Sequence, residues 1–147
     1  SGTPTVALAS SLACALELAV ENLPERSASV QKRNAELRAA LCQHPKVRIN
    51  SPENAIPHIL NLSVRDVKGT VFQRELDAHG VCVSVKSACS SDGLPSRAVF
   101  AVSRDRRNAL SSWRISLSHL TTEAEIQEFL RVFDVCCQQL TAAHGDR

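Results

Sequence analysis

Two short runs of this chain alternate apolar and polar residues: His58-Ile59-Leu60-Asn61-Leu62-Ser63-Val64 and Ser112-Trp113-Arg114-Ile115-Ser116-Leu117. Alternation at period two sends successive side chains to opposite faces, so both runs read as half-buried strands. Val47-Arg48-Ile49 and Val81–Val85 read as two further strands. Elsewhere the period is helical. Val30, Asn34, Leu37 and Leu41 share one face of a helix from about Glu25 to Gln43, which stops before Pro45. A helix from about Thr70 to His79 is closed by Gly80 in the left-handed cap position. A short helix is predicted over Ser96 to Val102. Thr122 and Glu125 form a capping box for a last helix, whose apolar stripe is Ile126, Phe129, Leu130, Phe133, Cys137 and Leu140. Ser51–Pro57 reads as a loop, and the charged stretch Ser103–Asn108 as a turn without a function. The order predicts an α+β fold, a small, largely antiparallel sheet with helices packed on one face.

Residues 5–21 form a first helix, with Val6, Ala9, Ala13, Leu16 and Val20 at three- and four-residue steps. It is apolar nearly all round and is expected to pack on more than one side. Asn22-Leu23-Pro24 breaks it, and residues 141–147 are expected to fray. A length of 147 residues suits one domain. The chain contains no methionine. Together with the over-apolar first helix, this leads to the expectation that it is a piece of a longer protein.

Composition excludes several classes. A formal charge of +2 is too small to argue for nucleic acid or a membrane surface. With no Tyr and one Trp, the stacking platforms of single-stranded nucleic acid binders are missing. No apolar run approaches the ~20 residues of a membrane span, and the start lacks the layout of a signal peptide. Cysteines at 14, 42, 82, 89, 136 and 137 contain no C-x-x-C pair, so no metal site is expected. They read as reduced thiols of a cytoplasmic protein. Cys14, Cys82 and Cys137 are expected to be small buried hydrophobes.

Cys89 differs from the others. It sits among Ser, Ala, Asp and Gly in Ser84-Val85-Lys86-Ser87-Ala88-Cys89-Ser90-Ser91-Asp92-Gly93, residues that pack poorly and bend easily. That setting suits a thiol that must reach a substrate and carry something away, and suits an incidental exposed cysteine about as well.

Four segments, taken in order, resemble the C-terminal small domain of the cysteine desulfurases, pyridoxal-phosphate enzymes of the class V aminotransferase group. Ser1-Gly2-Thr3 is similar to the end of an Arg-x-Gly-Thr motif, and His58–Ser63 to a His-Ile-x-Asn-x-Ser strand. Ser87-Ala88-Cys89 with Pro95-Ser96 resembles the Gly-Ser-Ala-Cys loop and the helix start after it. Ser111–Ser116 with Thr121-Thr122-Glu123 resembles the ending Ser-x-Arg-x-Ser…Thr-Thr-x-x-Glu. Two positions depart from the pattern, since Lys86 and Ser118 stand where the family usually has glycine. Lys86 is either a cation that helps ionise the thiol or a solvated side chain.

The resemblance implies the small domain of a fold-type I pyridoxal-phosphate enzyme. Residues 1–21 would be a helix linking it to an absent large domain, and residues 22–140 the α+β body. It implies that Cys89 is the nucleophile, taking sulfur from L-cysteine as a persulfide and leaving L-alanine. Arg114 would bind the substrate carboxylate, and Thr3 the cofactor phosphate across a homodimer interface. His58 and Asn61 are read as structural. The cofactor lysine would lie upstream, because Lys32, Lys46, Lys68 and Lys86 sit in surface-like settings. The chain alone is therefore expected neither to hold pyridoxal 5'-phosphate productively nor to turn over cysteine. A sulfur-acceptor protein is the implied partner. The alternatives are a selenocysteine lyase or other class V enzyme, and a cofactor-independent sulfur carrier or binding module.

Overall fold

The computed structural model describes residues 2–86 and 94–142. In chain order the elements are α1 (Val6–Glu21), α2 (Leu23–Leu41), β1 (Val47–Ile49), β2 (Ile59–Val64), α3 (Gly69–Ala78), α4 (Arg97–Ser103), α5 (Arg106–Ser111), β3 (Ser112–Ser116) and α6 (Glu123–Ala142). The strands form one antiparallel sheet in the order β1-β2-β3. Leu62 pairs with Trp113, and Leu60 with Ile115. Strand alternation therefore gathers Leu60, Leu62, Val64, Trp113 and Ile115 on one face, where α2, α3 and α6 cover them.

The expected α+β fold is the one found. The centre of its core is aromatic. Phe72 stacks on Trp113 at 5.2 Å with a 15° interplanar angle, and Phe133 lies 5.3 Å from Phe72. The predicted stripe on α6 is buried at Ile126, Phe129, Phe133 and Cys137, and Val132 and Cys136 join it. The capping box is present: the Glu125 carboxylate accepts from the Thr122 amide at 2.7 Å, and Thr122 Oγ1 accepts from the Glu125 amide at 3.2 Å.

Several expectations are corrected. Val81–Val85 is not a strand, because its backbone is committed elsewhere. The amides of Gly80 and Val81 bond the Asp77 and Leu76 carbonyls, a Schellman cap with Gly80 at φ +77°. The Val83 carbonyl accepts from Gln73 Nε2 at 2.9 Å. One antiparallel bridge remains, from Ser84 to Arg114. Val81, Val83 and Val85 still pack on the core, so Cys82 between them is exposed rather than buried.

The charged stretch at 103–108 is not only a turn. The Asp105 carboxylate accepts from the Asn108 amide at 3.0 Å and caps α5, which sits on the sheet's second face against β2. Residues 141 and 142 belong to α6 rather than to a frayed tail.

The first helix also departs from expectation. None of its residues is buried, Cys14 included, and Val6, Leu8, Leu12, Leu16, Leu18 and Val20 are each at least half exposed. It bends by 61° into α2 at Asn22, with Pro24 in the first turn of the new helix. No single helix among the described residues is long and apolar enough to cross a membrane.

Gly69 opens α3 directly beneath β3, where an added Cβ would run into the Ser112 carbonyl oxygen. Gly69→Ala is expected to destabilise the fold by ~1–3 kcal/mol, as overpacking does. Urea unfolding followed by tryptophan fluorescence measures it.

Candidate active-site cleft

The second face of the sheet is polar because the same alternation that buries Trp113 turns Asn61, Ser63, Ser112 and Arg114 away from the core. Several polar side chains there pair with one another. Ser63 Oγ donates to the Asn108 carbonyl at 3.0 Å and accepts from Asn50 Nδ2 at 2.8 Å. Asn108 Nδ2 donates to Asn50 Oδ1 at 2.8 Å, and Asn50 Nδ2 also reaches Asn61 Oδ1 at 2.9 Å. This network ties β1, β2 and α5 together and fixes the floor on which the site stands.

A cleft of about 880 Å³ opens on this face, bounded by β1 with the loop after it, the Ser84–Lys86 segment, the residues from Leu94 onward, and α4. Arg38 of α2 supports its rim. Its guanidinium donates to the Ser51 and Pro52 carbonyls at 3.0 Å each and to Asn34 Oδ1 at 2.7 Å. Sequence reasoning missed this residue, because a half-buried arginine in a helix gives no sign of which loop carbonyls it will meet. It also missed Asn50 and Asn108, whose partners are far away in the chain.

Arg114 lies in the cleft wall. Its strand position is held from both sides, by register with Asn61 and by two backbone bonds to Ser84 of 2.7 and 3.1 Å. Its Nε is buried and, among the described residues, has no hydrogen-bond partner. A buried charged donor is costly to leave unpaired, so an acceptor brought to this position would be favoured there. The described lining contains Arg48, Lys86, Arg97 and Arg114 and no carboxylate. Arg48 is drawn to Asp105 at 3.6 Å. A guanidinium offering parallel donors in this positive setting is suited to a carboxylate.

Cys89 lies outside the described residues. The chain approaches that stretch at Lys86 and returns at Leu94, and both line the cleft. Lys86 is half-buried there rather than on an open surface. Ser96 also lines the cleft and caps α4 by accepting from the Val99 amide at 3.4 Å. Thr3 is exposed ahead of α1 and is not among the lining residues. Ser118 takes the place of glycine without a left-handed backbone, since its amide bonds Thr121 Oγ1 at 3.0 Å within a turn. His58 acts through its backbone, its carbonyl accepting from Leu117 at 2.9 Å. Asn61 combines that kind of structural role with a place in the cleft wall.

A pyridoxal cofactor needs a lysine for its aldehyde, a partner for its ring nitrogen and a surface against its ring. The described lining supplies no aromatic ring and no carboxylate. These residues do not make a complete cofactor site.

The other described thiols are poor nucleophiles or lie off the cleft. Burial, reinforced by the Glu75 charge, pushes Cys136 up from 9.0 to about 11, and burial also raises Cys137. Both therefore stay protonated at neutral pH. Cys14, Cys42 and Cys82 are exposed, and none lines the cleft.

The chain matches the Aminotransferase class-V family over residues 1–129. It is 31% identical over 130 residues to the cysteine desulfurase IscS of Clostridium botulinum, covering 85% of this chain and 33% of that protein. It is 32% identical over 136 residues to the IscS-like cysteine desulfurase of Mycobacterium tuberculosis, covering 90% and 35%. A solved NifS-like protein superposes with a TM-score of 0.77 at 29% identity, covering 92% of this chain and 34% of its own. The chain thus spans about a third of the length of the relatives it matches.

In the folded protein at pH 7.5, iodoacetamide is expected to label Cys14, Cys42 and Cys82 well before Cys136 and Cys137. Peptide mapping over time checks this. Because the folded state raises the Cys136 value, its contribution to stability is intact below about pH 9 and is lost as pH rises toward about 11.

Proposed function

Because the chain belongs to the class-V aminotransferase family and its relatives are cysteine desulfurases, we propose that it is the small domain of a pyridoxal-phosphate-dependent cysteine desulfurase. In this reading Arg114 anchors the carboxylate of L-cysteine, and Cys89 accepts its sulfur. The observation that carries it is the Nε of Arg114, buried and without a partner among the described residues, in a cation-lined cleft whose walls flank the stretch that holds Cys89.

The transfer is balanced. The thiolate of Cys89 bonds to the substrate sulfur, and the substrate carbon–sulfur bond breaks. The proton released by the Cys89 thiol is matched by the one gained at the new methyl group. The products are L-alanine and a persulfide on Cys89. Arg114 contributes orientation, since two parallel bonds to a carboxylate fix the substrate about its Cα.

The pyridoxal cofactor is assigned to the part of such an enzyme beyond these residues, because the cleft offers only the substrate side. Residues 1–21 then form the link to the large domain, and the bare apolar surface of α1 is the surface that domain would cover. Burying one leucine is worth ~1.5–3 kcal/mol, so six large aliphatic side chains on one exposed helix supply ample drive for docking. Thr3, just ahead of α1, would reach the cofactor phosphate across a homodimer interface. The persulfide would pass to an acceptor protein in the cytoplasm.

In the enzyme joined to its large domain, Arg114→Ala is expected to lower kcat/KM for L-cysteine about a hundredfold, the ~2–3 kcal/mol of a guanidinium–carboxylate pair. Cysteamine, which lacks the carboxylate, should be processed equally by wild type and variant. An equal loss on both compounds would refute the anchoring role. The 147-residue chain alone should release no sulfide from L-cysteine.

A further inference from the structure

A second cavity, of about 370 Å³, opens between the start of β1, the β2–α3 turn and α5. Lys46, Arg48, Arg65, Lys68 and Arg107 line it, against two carboxylates, Asp66 and Asp105. The whole chain carries a formal charge of only +2, so this one concavity, with five cations and two anions, holds more net positive charge than the protein does. Arg48 and Asp105 largely satisfy each other at 3.6 Å. Lys46, Arg65, Lys68 and Arg107 form no ion pair among the described residues.

The backbone holds these like charges together. Asp66 adopts φ +66°, a left-handed turn that swings the chain from β2 into α3 and brings Arg65 and Lys68 to the same rim. Arg107 is delivered by α5, which the Ser63–Asn108 bond clamps to the sheet. The floor is buried, with Ser63 and Asn108 2% and 8% exposed and bonded to each other, and the long cationic side chains stand above it. Asp66 and Asp105 only partly offset these cations, which repel one another, and a bound anion removes that penalty. The size lies at the lower end of the ~300–1,000 Å³ typical of small-ligand sites, too small for a broad macromolecular contact. Among the described residues, only Arg48 lines both this cavity and the candidate active-site cleft.

We propose that this cavity binds a small polyanion carrying about two to four negative charges, a phosphate ester or a polycarboxylate, gripped by Lys46, Arg65, Lys68 and Arg107. This does not rest on the desulfurase reading, because none of these four residues lines that cleft.

The test is isothermal titration of the full chain with sodium pyrophosphate and, separately, sodium citrate, at fixed ionic strength. Saturable one-site binding of at least one is expected. Arg65→Glu with Lys68→Glu should weaken it at least about tenfold, and the charge-neutralising pair Lys68→Gln with Arg107→Gln should weaken it in the same direction. Lys32→Glu, on α2 and outside the cavity, should leave it unchanged. Pyrophosphate binding much tighter than citrate assigns a phosphate compound, and comparable binding assigns a general polyanion site. No saturable binding of either, or a loss as large in Lys32→Glu as in the cavity variants, overturns the proposal. Circular dichroism of each variant separates lost binding from lost fold.

Discussion

The register between β2 and β3 governs both the core and the cleft. With Leu62 opposite Trp113, the indole enters the apolar face and stacks on Phe72. The next residue, Arg114, must then point the other way, opposite Asn61. A slip of one residue would drive the guanidinium into the aromatic cluster and put the indole in water, a loss of several kcal/mol on each face. Burial of Trp113 is therefore what aims Arg114. The polar network of Asn50, Ser63 and Asn108 secures the second face, so the arginine is presented from a rigid sheet rather than from a loop.

Much of this was legible in the sequence because it rests on local period. Alternation marked β2 and β3, the three- and four-residue spacing marked α6, and Gly80 marked the end of α3. These signals need only nearest neighbours along the chain. The readings that failed depend on where distant groups send their hydrogen bonds. Val81–Val85 has the side-chain pattern of a strand, yet the α3 cap takes its first amide and Gln73 takes the Val83 carbonyl. Asp105 looked like part of a charged turn although Asp-x-x-Asn is also a cap, and here the Asn108 amide fulfils it. Cys14 followed an apolar helical pattern, but α1 buries nothing within this chain, and pattern alone cannot say what covers a face.

The site divides in the same way. Arg114 stood out by a motif, and it lies in the cleft wall with its Nε buried and, among the described residues, without a partner. The support from Arg38 and the two asparagines was invisible, because it joins residues that only folding brings together. Cys89 was marked by the small polar residues around it. The structure adds that the chain on both sides of its stretch lines one cleft, and that the buried thiols Cys136 and Cys137 are held protonated away from it.

The central claim is that sulfur from L-cysteine lands on Cys89 rather than on any other thiol. The direct measurement uses the enzyme joined to its large domain, incubated briefly with ³⁵S-labelled L-cysteine, trapped with an alkylating agent without reductant, and mapped by peptide mass spectrometry. The account predicts that the label and the added sulfur atom sit on the peptide containing Cys89, and that no other cysteine of residues 1–147 carries them. Label on Cys42 or Cys82, or L-alanine formed with Cys89 unmodified throughout, would contradict it.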